Sequence, residues 1–253
     1  MYYNLDNEIA KRETKNVYRD GNRTIKLFVE GYSKSGILNE ALNQARVEEG
    51  TDLNIPKLVE ITKIDNRWGL VSEHIEGTPL DQLMNKNPEK VDEYLNLFVD
   101  IQLMVTSKKV PLLNKMKEKY RSRIKESNLF EDNIKYELLQ RLEGMEGKTN
   151  LCHGDFVPSN IIITESGEYY VIDWAHVTQG NPEGDAATTY LRFCMYKMQE
   201  LADKYLEIFC EKSKINKMNI LKWIPIIAAN QYLKQKPEEI ETLKQWINVV
   251  EFN

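Results

Sequence analysis

The stretch Leu151-Cys152-His153-Gly154-Asp155-Phe156-Val157-Pro158-Ser159-Asn160, followed after a short hairpin by Val171-Ile172-Asp173-Trp174, constrains this chain more than any other. It sets two carboxylates and an amide, Asp155, Asn160 and Asp173, among segments that otherwise read as buried strands. Polar groups in such a setting cost free energy unless they hold partners. The partners expected of this trio are metal ions and a phosphorylated ligand. Gly154 and Pro158 interrupt any regular element, so Asp155 and Asn160 sit on a loop, while Asp173 closes a strand.

The 253 residues allow one large domain or two smaller ones sharing a cleft. An apolar fraction of 42% suffices for a real core, and 29% charged residues of mixed sign mark a soluble globular chain. The 34 basic and 39 acidic side chains give a net charge of -5, which argues against nucleic acid or an anionic membrane as partner and slightly favours a cationic small substrate. Cys152, Cys194 and Cys210 are odd in number and lack paired metal-ligand spacing, so reduced thiols are expected. The N-terminus has no signal-like apolar run, and the longest apolar run, around Trp223 to Ala229, is too short to span a bilayer. A cytoplasmic location is the expectation.

Residues 5 to 29 read as an antiparallel β unit turning at Asp20-Gly21-Asn22, with Ile25, Leu27 and Val29 on one face and Thr24, Lys26 and Phe28 on the other. From Ser33, a plausible N-cap, the stripe Ile37, Leu38, Ala41, Leu42, Ala45 predicts a helix stopping at Gly50, with Glu40 beside the stripe and able to reach Lys26. A second hairpin is expected over Leu58 to Ile64 and Trp68 to Ile75, after which Thr78-Pro79 opens a helix. Glu76-Gly77 is taken as the boundary between a sheet-rich part, residues 1–76, and a helical part, residues 77–253. Amphipathic spacing predicts helices over 89–106 and 131–143. The lysines and arginines of 113–126 spread around a solvated helix. After Asn160 come two strands joined by Glu165-Ser166-Gly167-Glu168, and beyond Asp185 the chain is helical, Pro225 marking a kink or a new helix start.

Phosphoryl transfer from ATP asks a protein to position groups and to neutralise phosphate charge. It needs a lysine on the phosphates, a carboxylate and an amide on the metal ions, and a carboxylate to receive the acceptor's proton. Asp155 and Asn160, five positions apart (160 minus 155), match the catalytic-loop pattern of base and metal ligand. Asp173, thirteen further on (173 minus 160), can hold Mg²⁺ from a strand end.

In these residues the chain resembles the aminoglycoside phosphotransferase and choline kinase family, a branch of the protein-kinase-like fold. The resemblance is carried by His153-Gly154-Asp155 with Asn160, by Ile172-Asp173-Trp174 in place of Asp-Phe-Gly, and by Gly184-Asp185. It reaches back to Lys26 and Glu40. It implies an α+β, two-lobed fold: a small antiparallel sheet with one helix, then a larger, mainly helical lobe. It also implies ATP and Mg²⁺, with Asp155 as the catalytic base, Asn160 and Asp173 as metal ligands, and Lys26 on the α/β-phosphates, held by Glu40. Glu73, His74 and Ile75 would bind adenine through their backbone. His153 would brace the catalytic loop and Asp185 would tie it down, neither doing chemistry.

The stretch equivalent to the family's nucleotide-covering loop, Lys11 to Tyr18, has no glycine, which assigns the phosphate contact to Thr14 or Lys15 instead. Val157 stands where relatives often carry a polar residue. A protein kinase is disfavoured by the absence of Asp-Phe-Gly and Ala-Pro-Glu. A nucleotide-binding regulatory module without transfer activity is the alternative from another class. The expected partner is a small hydroxylated acceptor, with no nucleic acid and no membrane, bound by a monomer or weak homodimer. Aminoglycosides, choline-like amino alcohols, sugars and amino-acid hydroxyls are all open, and Glu183, Glu238 and Glu239 are the acids that would suit a cationic one.

Overall fold

The β-rich N-terminal segments fold where their turn chemistry allows. In the computed structural model, which describes residues 3–247, strands β1 (Glu8–Lys11), β2 (Lys15–Asp20) and β3 (Arg23–Phe28) form an antiparallel meander. Gly21 takes the left-handed φ of +58° that the β2–β3 turn requires. Helix α1 (Lys34–Gly50) follows, with Ser33 Oγ accepting from Gly36 N at 2.9 Å as its N-cap. Strands β4 (Leu58–Ile64) and β5 (Arg67–Glu73) turn through Asp65 and Asn66, both left-handed. The five-stranded sheet has the order β1-β2-β3-β5-β4, and Phe28 and Leu70 pack with Ile37 and Ala41 of α1 as its core cluster.

Two expectations are corrected here. The buried face of α1 is Ile37, Glu40, Ala41, Asn43, Gln44 and Val47, whereas Leu38 and Leu42 are exposed. The helix is turned so that Glu40 lies inside, and Gln44 donates from Nε2 to Pro56 O at 2.8 Å. Thr78–Pro79 is not the start of a helix but a short strand, β6, paired with a later strand; α2 (Leu80–Lys86) begins one residue on. The cause is Gly77, where a Cβ would stand 2.5 Å from Ile163 O. Only glycine lets the backbone come that near.

The chain continues through α3 (Val91–Ser107), α4 (Met116–Glu126), α5 (Asp132–Glu143) and β7 (Asn150–Cys152). Then come β8 (Ile161–Ile163), β9 (Tyr169–Val171), β10 (Thr178–Gly180), α6 (Pro182–Met195), α7 (Gln199–Ser213), α8 (Lys217–Leu221), α9 (Ile224–Tyr232) and α10 (Ile240–Ile247). Pro225 lies in the first turn of α9, so it starts a helix and kinks none. Two compact units result. One comprises Met1–Pro88 with Pro158–His176, the other Glu89–Val157 with Val177–Asn253. The first therefore runs past Glu76-Gly77 and takes in β8 and β9, which with β6 make a three-stranded sheet. The second packs Leu95, Phe98 and Val105 of α3 with Phe156 and Tyr205 as a helical core, the Phe98 ring lying 4.8 Å from Phe156 and 5.8 Å from Tyr205.

Candidate active site

In the first unit the lysine predicted on β3 meets the carboxylate predicted on α1. Lys26 Nζ lies 2.8 Å from Glu40 Oε1 and 2.9 Å from Asp173 Oδ1. Burial works against the Lys26 charge, but Asp173 and Glu40 outweigh it and hold its pKa above the usual lysine value. Burial would likewise raise Glu40, yet Lys26 and then Lys15 overcome it, so its pKa is lowered.

Lys15 is the less expected member. Val17 of β2 pairs with Lys26, so Lys15, two residues away, is its diagonal neighbour on the same face of the sheet. Its Nζ lies 3.4 Å from Glu40 Oε1 and 3.3 Å from Asp173 Oδ1. Two ammonium groups thus share two carboxylates. Thr14 is exposed, its carbonyl accepting from Val29 N at 3.0 Å, and it stays outside the cleft that Lys15 lines.

Asp173 has a left-handed φ of 65°, a backbone conformation that costs an L-residue about 1–2 kcal/mol. The turn is anchored by the next residue: Trp174 is 1% exposed and donates from Nε1 to Val171 O at 3.0 Å. Ile172 N donates to Asn160 O at 2.9 Å, which ties the backbone of Asn160 beside that of Asp173. Both residues line a cleft of about 290 Å³ with Lys15, Lys26, His74 and Ile75. Glu73 lines it too, but its amide donates to Lys57 O and that of His74 to Asn22 O, at 2.9 and 2.8 Å. His74 Nδ1 lies 2.9 Å from Thr24 Oγ1, and burial followed by the Arg19 charge lowers its pKa.

In the second unit one face of α6 holds the loop around Asp155. Asp185 Oδ1 accepts from Gly154 N at 2.7 Å, and Thr189 Oγ1 donates to Phe156 O at 2.8 Å. Arg192 donates from Nε and Nη2 to Asp155 Oδ1 at 2.9 and 2.8 Å. Residues 185, 189 and 192 follow the i, i+4, i+7 spacing of a single helix face, and they grip residues 154, 156 and 155. Gly154 has the left-handed φ of +79° that glycine permits without strain. His153 is fully buried, edge-on to Phe156, and accepts at Nδ1 from Asp155 N at 3.3 Å.

Burial raises the pKa of Asp185, against the opposing effect of the Gly154 amide. Gln102 shares the load, donating from Nε2 to Asp185 Oδ2 at 3.3 Å while its Oε1 accepts from Tyr205 OH at 2.7 Å. Arg192, Thr189, Gln102 and Tyr205 are absent from the sequence reading. The signals were there: Gln102 is a polar residue on the apolar face of α3, and Arg192 stands seven positions beyond Asp185 (192 minus 185). Of the acids considered for an acceptor, Glu183 is buried with Oε1 2.5 Å from Lys148 Nζ, and Glu238 is exposed.

Comparison with known proteins matches the resemblance drawn from the sequence. Residues 111–218 match the sequence model of the phosphotransferase enzyme family. No curated protein matches the chain. Among solved structures, choline kinase LicA from Streptococcus pneumoniae is similar at 17% identity and a TM-score of 0.67, over 97% of this chain and 92% of that one. A thermostable mutant of aminoglycoside phosphotransferase APH(4)-Ia, in ternary complex with AMP-PNP and hygromycin B, aligns at 13% identity and a TM-score of 0.70, over 94% and 90%. ADP-bound aminoglycoside phosphotransferase APH(2'')-Ib aligns at 15% identity and 0.62, over 96% and 93%. The fold is that of these kinase-like structures, and the match over residues 111–218 is to a phosphotransferase family.

Proposed function

From a phosphotransferase-family match on a kinase-like fold, we propose that this chain is an ATP- and Mg²⁺-dependent small-molecule kinase that moves the γ-phosphoryl group to a hydroxyl of a small acceptor. The observation that carries the reading is the Lys26 ammonium held between Glu40 and Asp173 at 2.8 and 2.9 Å, in a cleft that Asn160 also lines. That set supplies a phosphate-binding cation, the carboxylate that orients it, and two oxygen donors.

One carboxylate and one amide suit Mg²⁺, which takes one or two carboxylates from a protein and completes its shell with phosphates and water. Asp173 and Asn160 would hold the ion, which when bound neutralises charge on the phosphates. Lys26 contacts the phosphates from β3. Lys15, on the same face, supplies the cation that compensates for a loop without glycine. With the Glu73 and His74 amides already donated, the Ile75 amide is the backbone donor for adenine. Asp155 takes the acceptor's hydroxyl proton as the acceptor oxygen bonds to the γ-phosphorus and the bond from that phosphorus to the ADP oxygen breaks. Arg192 acts as a positioning residue by fixing the Asp155 carboxylate. His153 and Asp185 keep the loop in shape.

In this reading residues 1–76 serve the nucleotide and residues 77–253 carry the catalytic groups and the acceptor. Among the described residues no helix is long and apolar enough to cross a membrane, and a cytoplasmic site of action suits free cysteines. Screening hydroxylated metabolites, amino alcohols and aminoglycosides for ADP release, with Asp155→Asn as the blank, tests the proposal. Nucleotide binding without product from any acceptor would instead favour a regulatory module.

A further inference from the structure

Arg12, Lys15 and Lys26 line the cleft of the first unit. Two of these cations are committed, since Lys26 and Lys15 both lie against Glu40 and Asp173. Arg12 is not. Among the described residues it forms no ion pair, and its guanidinium makes one hydrogen bond, from Nη1 to Lys11 O at 3.3 Å.

The register of the sheet brings Arg12 to the cleft. Ala10 pairs with Val17 and Lys11 with Asn16, and Arg12 N then donates to Lys15 O at 2.9 Å, so Arg12 stands opposite Lys15 across the turn Glu13-Thr14. Successive side chains of a strand point to opposite faces. Ala10, Arg12, Lys15 and Val17 line the cleft, whereas Lys11 and Asn16 do not.

The paired rows also set an order along the cleft. Ser72 pairs with Thr24 at the end from which the chain continues through Glu73 to Ile75. Lys26, opposite Val17, is two residues further along β3, and Phe28, opposite Lys15, is two further still. Each such step of two residues is about 7 Å along the strand. A nucleotide with its base at Ile75 and its first phosphates on Lys26 therefore brings its last phosphate to the row of Lys15 and Arg12.

We infer that Arg12 binds the terminal phosphate of the nucleoside triphosphate and is the residue that distinguishes triphosphate from diphosphate. The inference rests on the kinase reading above. Like charges set directly opposite on paired strands repel, and an anion between Arg12 and Lys15 removes that repulsion. Lys15 turns to two carboxylates, which leaves Arg12 with its whole charge to offer, and a guanidinium fork can hold two oxygens of one phosphate. Once the terminal phosphate has been transferred, Arg12 has no partner on the diphosphate.

The experiment is isothermal titration of the full chain with AMP-PNP, ADP and adenosine, each in the presence of Mg²⁺. Arg12→Met should weaken AMP-PNP about tenfold, the scale of a lost charge-assisted hydrogen bond, and leave ADP and adenosine unchanged. Arg12→Lys should recover part of that loss, because it keeps the charge without the fork. Lys11→Met removes the same charge from the other face of the strand and should alter none of the three affinities. An equal loss of ADP and AMP-PNP binding in Arg12→Met, unchanged AMP-PNP affinity in that variant, or an equal effect of Lys11→Met overturns the inference. Failure of the wild type to bind either nucleotide would overturn the kinase reading and the inference with it.

Discussion

Arg192 brings both its Nε and its Nη2 to one oxygen, Oδ1 of Asp155, at 2.9 and 2.8 Å. A guanidinium on the proposed base fixes the direction in which that carboxylate meets the acceptor hydroxyl. Such positioning is worth much in catalysis, since small misplacements of reacting groups cost rate steeply. Arg192→Met is therefore expected to lower kcat about 100-fold while leaving nucleotide affinity unchanged. Arg192→Lys should recover part of kcat, a rescue that general destabilisation would not give.

In the proposed kinase, Lys26 and Lys15 would divide the phosphate contact unequally. Lys26 makes the shorter contacts to Glu40 and Asp173, and its replacement leaves the buried Glu40 and the half-buried Asp173 short of a counter-charge. Lys26→Met should weaken ATP binding about 30-fold and Lys15→Met about 5-fold, in line with lost charge-assisted hydrogen bonds. Adenosine affinity should change in neither variant. Titrations with ATP, ADP and adenosine would read this directly.

The same cluster sets an acid limit on stability. The folded pKa of Glu40 is lowered below its ordinary value of 4.5, so the unfolded chain binds the extra proton. Stability from this group is complete above that value and is lost as pH falls through the folded pKa. Melting curves of Glu40→Gln should accordingly decline less steeply with acidification below pH 4.5 than those of the wild type. Parallel curves would show that Glu40 does not set the acid limit. Asp185, with a raised pKa, works in the other sense: its contribution falls as pH rises from its ordinary 3.8 toward its folded value.

Gly77 permits the pairing of β6 with β8 through a close approach to Ile163. A Cβ there would meet Ile163 O at 2.5 Å and Ile162 Cγ2 at 2.7 Å. Gly77→Ala should destabilise the protein by about 1–3 kcal/mol through backbone displacement, measured as a fall in Tm. Gly21→Ala meets no atom within 4 Å and should act only through its left-handed φ.

What the sequence made legible follows from how local each signal is. The hairpins at Gly21 and Asp65-Asn66, the Ser33 cap and the order Lys26, Glu40, Asp155, Asn160, Asp173 rest on turn chemistry, capping and motif spacing, which act over a few residues. The strand at Thr78–Pro79 was hidden because Pro at a helix start looks the same as Pro just ahead of one, and the decision lay with Ile163, 86 positions away from Gly77 (163 minus 77). The rotation of α1 is not legible in the sequence, because Leu38 and Leu42 fit an apolar stripe as well as Glu40 and Gln44 fit a polar one. Lys26 and Lys15 reverse that choice by giving Glu40 two cationic partners. Arg192 and Gln102 escaped notice since their roles exist only once α6 and α3 are brought to the Asp155 loop.

In the proposed mechanism Asp155 accepts the hydroxyl proton in Mg²⁺-dependent transfer from ATP. Its most direct test is acceptor-dependent ADP release by wild type and Asp155→Asn, each with and without Mg²⁺, beside AMP-PNP affinity measured on the same preparations. Release is expected to require Mg²⁺ and to fall about 1,000-fold in Asp155→Asn, the scale of a lost general base, with nucleotide affinity retained. Undiminished release in a folded Asp155→Asn, or release indifferent to Mg²⁺, would contradict it.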